Sequence, residues 1–200
     1  NNFDTPQTWL PNEINHETIN FPLVIKSNKG SGSKGVFIVN NLEEMKFFVR
    51  YIENPIIQEF LPGIEYTVDA FSDFKGKILS ILPRQRIETF NGESYKGRTV
   101  RDIKIMEKSK ELITSLGCKG HVTIQCKKLE GKIKFIEINP RFGGGAILGI
   151  KAGVDTPSML IKLLKGESID IFINDFMEGL TMLRYTKDVF ILNGSELEDG

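Results

Sequence analysis

The stretch Phe135-Ile136-Glu137-Ile138-Asn139-Pro140-Arg141 decides how this chain is read. Side chains alternate across a strand, so Glu137, Asn139 and Arg141 share one face while Ile136 and Ile138 belong to the apolar one. A carboxylate and an amide at this spacing offer hard oxygen ligands to Mg2+, a cation that keeps waters and phosphate oxygens in its shell. A guanidinium two residues on suits the anion beside such a metal. A solvated edge strand ending at a proline would show the same residues.

The surrounding chain has 200 residues, of which 40% are hydrophobic and 26% charged, with a formal net charge of +0. That is a globular composition with enough chain for a core. Balanced charge without a basic run gives no support for nucleic acid or an anionic membrane as partner. Cys118 and Cys126 lie in apolar stretches without metal-ligand spacing and read as reduced core residues. No apolar run approaches the ~20 residues needed to span a bilayer, and no signal-peptide pattern opens the chain, so cytoplasm is the default expectation. The opening Asn1-Asn2-Phe3-Asp4 lacks methionine, which predicts an excerpt or processed form of a longer protein.

Strand-like and helix-like segments alternate without repeats, which predicts an α+β fold. Residues 1–20 read as an N-terminal linker. A small unit over 21–62 carries strands Leu23–Ser27, Val36–Val39 and Ile56–Leu61 and a helix over Leu42–Glu53. A larger unit over 63–200 carries long antiparallel strands at Glu65–Phe74 and Lys77–Thr89, then a polar loop over Asn91–Arg101. A helix near Asp102–Leu116, strands Lys119–Leu129 and Ile133–Asn139, and helices near 147–153 and 156–165 follow. A pairing of Leu180–Thr186 with Val189–Leu192 closes the chain, and a functional site is expected between the units.

Gly30-Ser31-Gly32-Ser33-Lys34-Gly35 matches the GxGxxG spacing, yet strand-like Val36–Val39 follows where a dinucleotide fingerprint needs a helix. A Walker loop fails because Val36 and Phe37 stand where Lys and Ser or Thr are required. What remains is strand, loop, strand, a flap whose N–H groups and serine hydroxyls can cover phosphates, or else a surface hairpin. Protein kinases use such a flap, but the His-Arg-Asp and Asp-Phe-Gly segments are missing. Lys26, at the end of an apolar strand before the flap, can reach nucleotide phosphates, and Val24 on the same face can line a base pocket. A lysine snorkelling from a strand end would look the same. Downstream, Gln58-Glu59-Phe60-Leu61-Pro62-Gly63-Ile64-Glu65 offers strand-end backbone for an adenine edge and an acid for a ribose hydroxyl.

His121, Thr123, Gln125 and Lys127 alternate with apolar Val122, Ile124 and Cys126. For the apolar faces of this strand and the next to coincide, Gln125 must oppose Glu137, which predicts an odd loop at Glu130-Gly131-Lys132 with a glycine bulge. Gln125, Glu137 and Asn139 then form a three-oxygen platform for one or two Mg2+ ions. Arg84 and Arg86, at i and i+2, share a strand face and are candidates to clamp a carboxylate or γ-phosphate, or are simply solvated. Arg98 is expected in a mobile substrate loop, and His121 beside the metal platform.

In this order, Lys26, the Gly-Ser-Gly-Ser-Lys-Gly flap, the Gln-Glu-Phe-Leu-Pro-Gly-Ile-Glu hinge, Gln125 and Glu137-Ile-Asn139-Pro-Arg141 resemble the ATP-grasp superfamily over about residues 20–165. The likeness is greatest to the carbamoyl-phosphate synthase large chain and related carboxylate-amine ligases. The resemblance implies two α+β subdomains clasping ATP, with Lys26 on phosphate, the flap residues Gly30, Ser31, Gly32, Ser33 and Gly35 over it, and Val24 and Ile136 lining the nucleotide. It places Gln58, Glu59, Phe60 and Leu61 at adenine, Glu65 at ribose, and Gln125, Glu137 and Asn139 on Mg2+, with Mn2+ as a substitute. Arg141 is implied in stabilising the transferring phosphoryl group or the acyl-phosphate. Gln58 stands where many relatives have Glu. The implied reaction joins a small carboxylate, or bicarbonate, to an amine or ammonia through an acyl-phosphate, and a homodimer is compatible with it. An N-terminal domain of the family, with a second basic phosphate ligand, is absent from this chain, so the fragment is expected to need it. A non-catalytic ATP-binding regulatory module is the alternative reading.

Overall fold

The computed structural model describes residues 3–15, 17–30, 35–90, 92–171, 175–193 and 195–196. Two antiparallel sheets dominate, in agreement with the α+β expectation. The smaller runs β1 (Thr8–Trp9), β4 (Pro55–Glu59), β2 (Leu23–Ser27), β3 (Phe37–Val39) across its width. Alternation on β2 sends Leu23 and Ile25 into a core with Ile14, Val39, Met45 and Ile57, under α1 (Leu42–Tyr51). Val24 and Lys26 therefore face the opposite way, half-buried. Asn41 caps α1 by accepting from Glu44 N at 2.9 Å, while the Glu44 carboxylate accepts from Asn40 N at 2.8 Å, which fixes where the helix starts.

The larger sheet contains β5 (Ile64–Ser72), β6 (Ile78–Phe90), β7 (Glu93–Thr99), β8 (Gly120–Leu129), β9 (Lys132–Asn139) and β10 (Thr181–Leu183), in the order β10-β7-β6-β5-β8-β9. On one face Val68, Ala70, Ile81, Ile124 and Cys126 form a core with Ile105, Met106, Leu112 and Ile113 of α2 (Ile103–Ser115). The other face is polar along its centre: Glu137, Gln125, Thr67 and Arg84 are consecutive register partners, with Lys127, Glu65 and Arg86 flanking them. On this side Gly149 of α3 (Ala146–Lys151) is buried beside Leu82 and Asp69 and Leu148 against Gly97, and α4 (Thr156–Leu164) follows. β11 (Ile191–Leu192) and β12 (Ser195–Glu196) form a separate hairpin.

Four expectations change. The linker over 1–20 is partly built into both units: Thr8 pairs with Gln58, Ile14 is buried in the small core, and Phe135 N donates to Asp4 O at 2.8 Å. The polar loop over Asn91–Arg101 is largely β7, whose buried positions are small Ser94, Gly97 and Thr99, giving no apolar alternation to see. Thr181–Leu183 pairs with β7 rather than with the segment around Ile191. The register placing Gln125 opposite Glu137 holds, but through a different device. Glu130 and Gly131, at φ 48° and 77°, make a two-residue turn, and a bulge takes up Ile136 between the Cys126–Phe135 and Gln125–Glu137 pairs.

Candidate active site between the two sheets

A cleft of about 520 Å3 separates the sheets, within the size range of small-molecule sites. The small unit supplies Val24, Lys26, Gly30, Val36, Ile38, Ile56 and Gln58; the connector supplies Glu59, Phe60 and Leu61; the large unit supplies Glu65, Arg86, Gln125, Lys127, Ile136 and Glu137. The bulge explains how both Ile136 and Glu137 reach the same cleft, which strict alternation would forbid. Among the nucleotide candidates, Ser31, Gly32 and Ser33 lie outside the described residues; Gly35 is described, exposed and left-handed at φ 71°.

The connector is tied on both sides. Glu59 N donates to Gln7 O at 3.0 Å, its carboxylate pairs with Lys134, and Lys127 Nζ donates to Leu61 O at 2.8 Å while lying over the Phe60 ring. Gln58 Nε2 donates to Thr8 Oγ1 at 2.8 Å. The Lys134 and Lys127 contacts span the two sheets, while those to Gln7 and Thr8 stay within the small one, so the edge expected at adenine is held by groups from both.

Glu137 is the centre of the polar wall. Asn139 Nδ2 donates to Glu137 Oε1 at 2.6 Å, and the Gln125 amide, turned to satisfy both neighbours, donates to Glu137 Oε2 at 2.9 Å and accepts from Arg86. Arg86 also bonds Glu65 Oε1 at 2.5 Å and the Gly92 carbonyl at 2.6 Å. Across the cleft, burial pushes the Lys26 ammonium pKa below the ordinary lysine value, and the Glu137 carboxylate partly offsets this. A desolvated cation opposite a carboxylate is an arrangement that gains when a polyanion and a divalent cation enter together. Among the described residues no three His, Cys, Asp or Glu side chains converge. The Glu137 carboxylate is nevertheless a hard-oxygen ligand that fits Mg2+, given phosphate oxygens and water as further ligands; the two amides meet it through nitrogen and would have to turn to add their oxygens.

Asn139, Arg141 and Arg84, like Gly35, stand apart from the cleft lining. Arg141 is exposed, its carbonyl accepting from Thr123 Oγ1 at 2.9 Å and its Nη1 donating to the Phe142 carbonyl at 3.2 Å. Arg84 corrects the expectation of a substrate clamp: it is 1% exposed and bonds Asp69 through Nε at 2.7 Å and Nη2 at 3.1 Å. Asp69 was not singled out in the sequence; a lone acid in the apolar run Tyr66–Phe71 was the available signal. The Arg84 guanidinium holds the Asp69 carboxyl down at about 2 against its burial, with His121 assisting. His121 is buried, with Nδ1 3.1 Å from Thr156 Oγ1 and its ring 4.2 Å from that of Phe142. Arg98 sits on β7 opposite Thr181, not in a loop. Cys126 is no nucleophile, since burial pushes its thiol up to about 12.

Comparison with known proteins agrees with this geometry. The chain is 33% identical over 139 residues to the carbamoyl phosphate synthase large chain of Clostridium botulinum (strain Eklund 17B / Type B), covering 62% of this chain and 13% of that protein. It is 28% identical over 191 residues to the D-alanine–D-alanine ligase of Fusobacterium nucleatum, covering 87% of this chain and 62% of the ligase. The chain thus spans a small part of the first relative and less than two thirds of the second. In fold it matches carboxyaminoimidazole ribonucleotide synthase from Aspergillus clavatus complexed with ATP, with a TM-score of 0.73 at 14% identity, over 90% of this chain and 52% of that one. No helix among the described residues is long and apolar enough to cross a membrane. The family described as "ATP-grasp in the biosynthetic pathway with Ter operon" matches residues 52–187, and the chain belongs to this ATP-grasp family.

Proposed function

We propose that this chain is the nucleotide-binding part of an ATP- and Mg2+-dependent ligase that activates a carboxylate, or bicarbonate, for attack by an amine or ammonia. The observation that carries the reading is the opposition of Lys26 and Glu137 across one cleft, with Gln125 and Asn139 bonded to the same carboxylate. Lys26 holds phosphate charge from the small sheet, and Val24, Ile38, Ile56 and Ile136 give the base an apolar slot. The connector backbone at Glu59 to Leu61 meets the base edge and Glu65 the ribose. Glu137, with Gln125 and Asn139, holds Mg2+ or Mn2+. A divalent cation, if held there, would supply charge neutralisation for phosphate oxygens.

A carboxylate resists amines because oxide is a poor leaving group. In the proposed reaction the substrate carboxylate oxygen bonds the γ-phosphorus as the bond to ADP breaks. The amine nitrogen then bonds the carbonyl carbon as inorganic phosphate leaves and the amine proton passes to solvent. Arg141 and Arg86 neutralise charge around this centre, which is positioning and electrostatics rather than covalent catalysis. The relatives' greater length supports a further domain of the same protein supplying the remaining substrate contacts.

The test is isothermal titration of the chain with a non-hydrolysable ATP analogue, with and without Mg2+, beside a Glu137→Ala, Asn139→Ala variant. Mg2+-dependent binding that drops at least about tenfold in the variant is expected from losing charge-assisted contacts. Equal binding by both proteins would place the nucleotide elsewhere and overturn the assignment.

A further inference from the structure

Beyond the nucleotide cleft, the polar wall continues through a chain of contacts to a second pair of opposite charges. Gln125 accepts from Arg86, and Arg86 Nη2 donates to the carbonyl of Gly92 at the tip of the β6–β7 hairpin. The next residue, Glu93, lays its carboxylate against Gly144, so closely that a Cβ there would fall 2.8 Å from Oε2. Arg184 Nη1 lies 3.3 Å from Glu93 Oε2, its Nη2 donates to the Gly144 carbonyl, and its own backbone N–H is fixed by Tyr95 O at 3.1 Å. Neither side chain lines the nucleotide cleft, yet Gly144 follows closely on Arg141 and Asn139. The pair is open to solvent, with 33% of the Arg184 side chain and 62% of the Glu93 side chain exposed.

We propose that Glu93 and Arg184, with the Gly144 carbonyl, form a subsite for an α-amino acid, in which Glu93 receives the ammonium and Arg184 the carboxylate. The proposal rests on the ligase reading and names its substrate class. Exposed ion pairs contribute only about 0–1 kcal/mol, so parting Glu93 from Arg184 costs little. A zwitterion restores a partner to each: a fork-shaped acceptor to the guanidinium and an ammonium to the carboxylate. A spare ammonium hydrogen suits the Gly144 carbonyl when Arg184 turns from it. Ammonia or bicarbonate would satisfy half of this arrangement and leave the other charge exposed to water. Glycine at 144 is what allows the carboxylate to lie so near the loop that follows the metal-binding strand.

The test uses the full-length protein with MgATP, measuring phosphate release with D-alanine and each proteinogenic L-amino acid, singly and in pairs, against ammonium with bicarbonate. Glu93→Gln and Arg184→Gln are compared with the wild type, and binding of an ATP analogue and the urea midpoint are measured in parallel. The expected result is release stimulated by one or more amino acids. In each variant the KM for that amino acid should rise at least about tenfold, with analogue affinity and urea midpoint unchanged. Stimulation by ammonium with bicarbonate alone, or amino-acid KM values unmoved by both substitutions, would overturn the subsite while leaving the ligase reading intact. Absence of analogue binding in the wild type would overturn the ligase reading and the subsite with it.

Discussion

Replacing Arg84 by Met removes one partner of a fully buried ion pair and should be among the most destabilising single changes in the chain. The guanidinium is 1% exposed and bonds both oxygens of Asp69, which is itself 4% exposed. Truncating one member leaves a buried carboxylate facing, among the described residues, His121 and Thr123, and such losses cost about 3–5 kcal/mol at neutral pH. The pH dependence gives the prediction a sign. In the wild type the Asp69 pKa falls from 3.8 to about 2, which at about 1.4 kcal/mol per unit is about 2 kcal/mol. Because the folded carboxyl is the stronger acid, that contribution is complete above 3.8 and is lost as pH falls through about 2. In Arg84→Met, burial dominates and the pKa rises above the ordinary value, so protonation stabilises the folded form and the deficit shrinks on acidification. Urea unfolding from about pH 7 to about pH 2 measures both effects. Adding Asp69→Leu to Arg84→Met should recover much of the loss, since the uncompensated charge is gone. A deficit below about 1 kcal/mol that does not vary with pH would refute the reasoning.

Two further outcomes are expected. Lys26→Met should raise the urea midpoint while abolishing binding of the ATP analogue. Desolvation disfavours the Lys26 ammonium in the folded chain, a destabilisation present below its depressed pKa and relieved as pH rises through it, so the midpoints should converge at alkaline pH. Gly63→Ala, in the connector between the sheets, should lower stability by at least about 1–3 kcal/mol in the same assay. Gly63 has φ 102°, and a Cβ there would fall 2.5 Å from the Lys128 carbonyl oxygen.

The parts of this molecule legible in its sequence are those where one strand carries its own pattern. Leu23–Ser27 shows its two faces in five residues, so Lys26 and Val24 could be assigned to one side before any partner was known. Gln125 opposite Glu137 followed from requiring two apolar faces to coincide, and that requirement is energetic: a one-residue slip would expose Ile124 and Cys126. How the register is reached was not legible, because a turn at Glu130-Gly131 with a bulge at Ile136 satisfies the same constraint as an odd loop. β7 was hidden for a related reason: Ser94, Gly97 and Thr99 are buried by neighbours on both sides, not by apolar character of their own.

Arg84 and Arg86 mark the limit most sharply. They share a residue type and a strand face, and nothing local separates their fates. Asp69 and the Gly143–Gly145 loop close over one, while the other opens on the cleft between Glu65 and Gln125. Burying a guanidinium unpaired is costly, so the sheet register that sets Thr67 opposite Arg84 and Asp69 one step beyond decides which arginine is buried and which faces the cleft. The polar wall is therefore a property of the strand pairing: moving Asp69 by one register step would leave Arg84 without its partner and remove the floor beneath the glycine loop that follows β9.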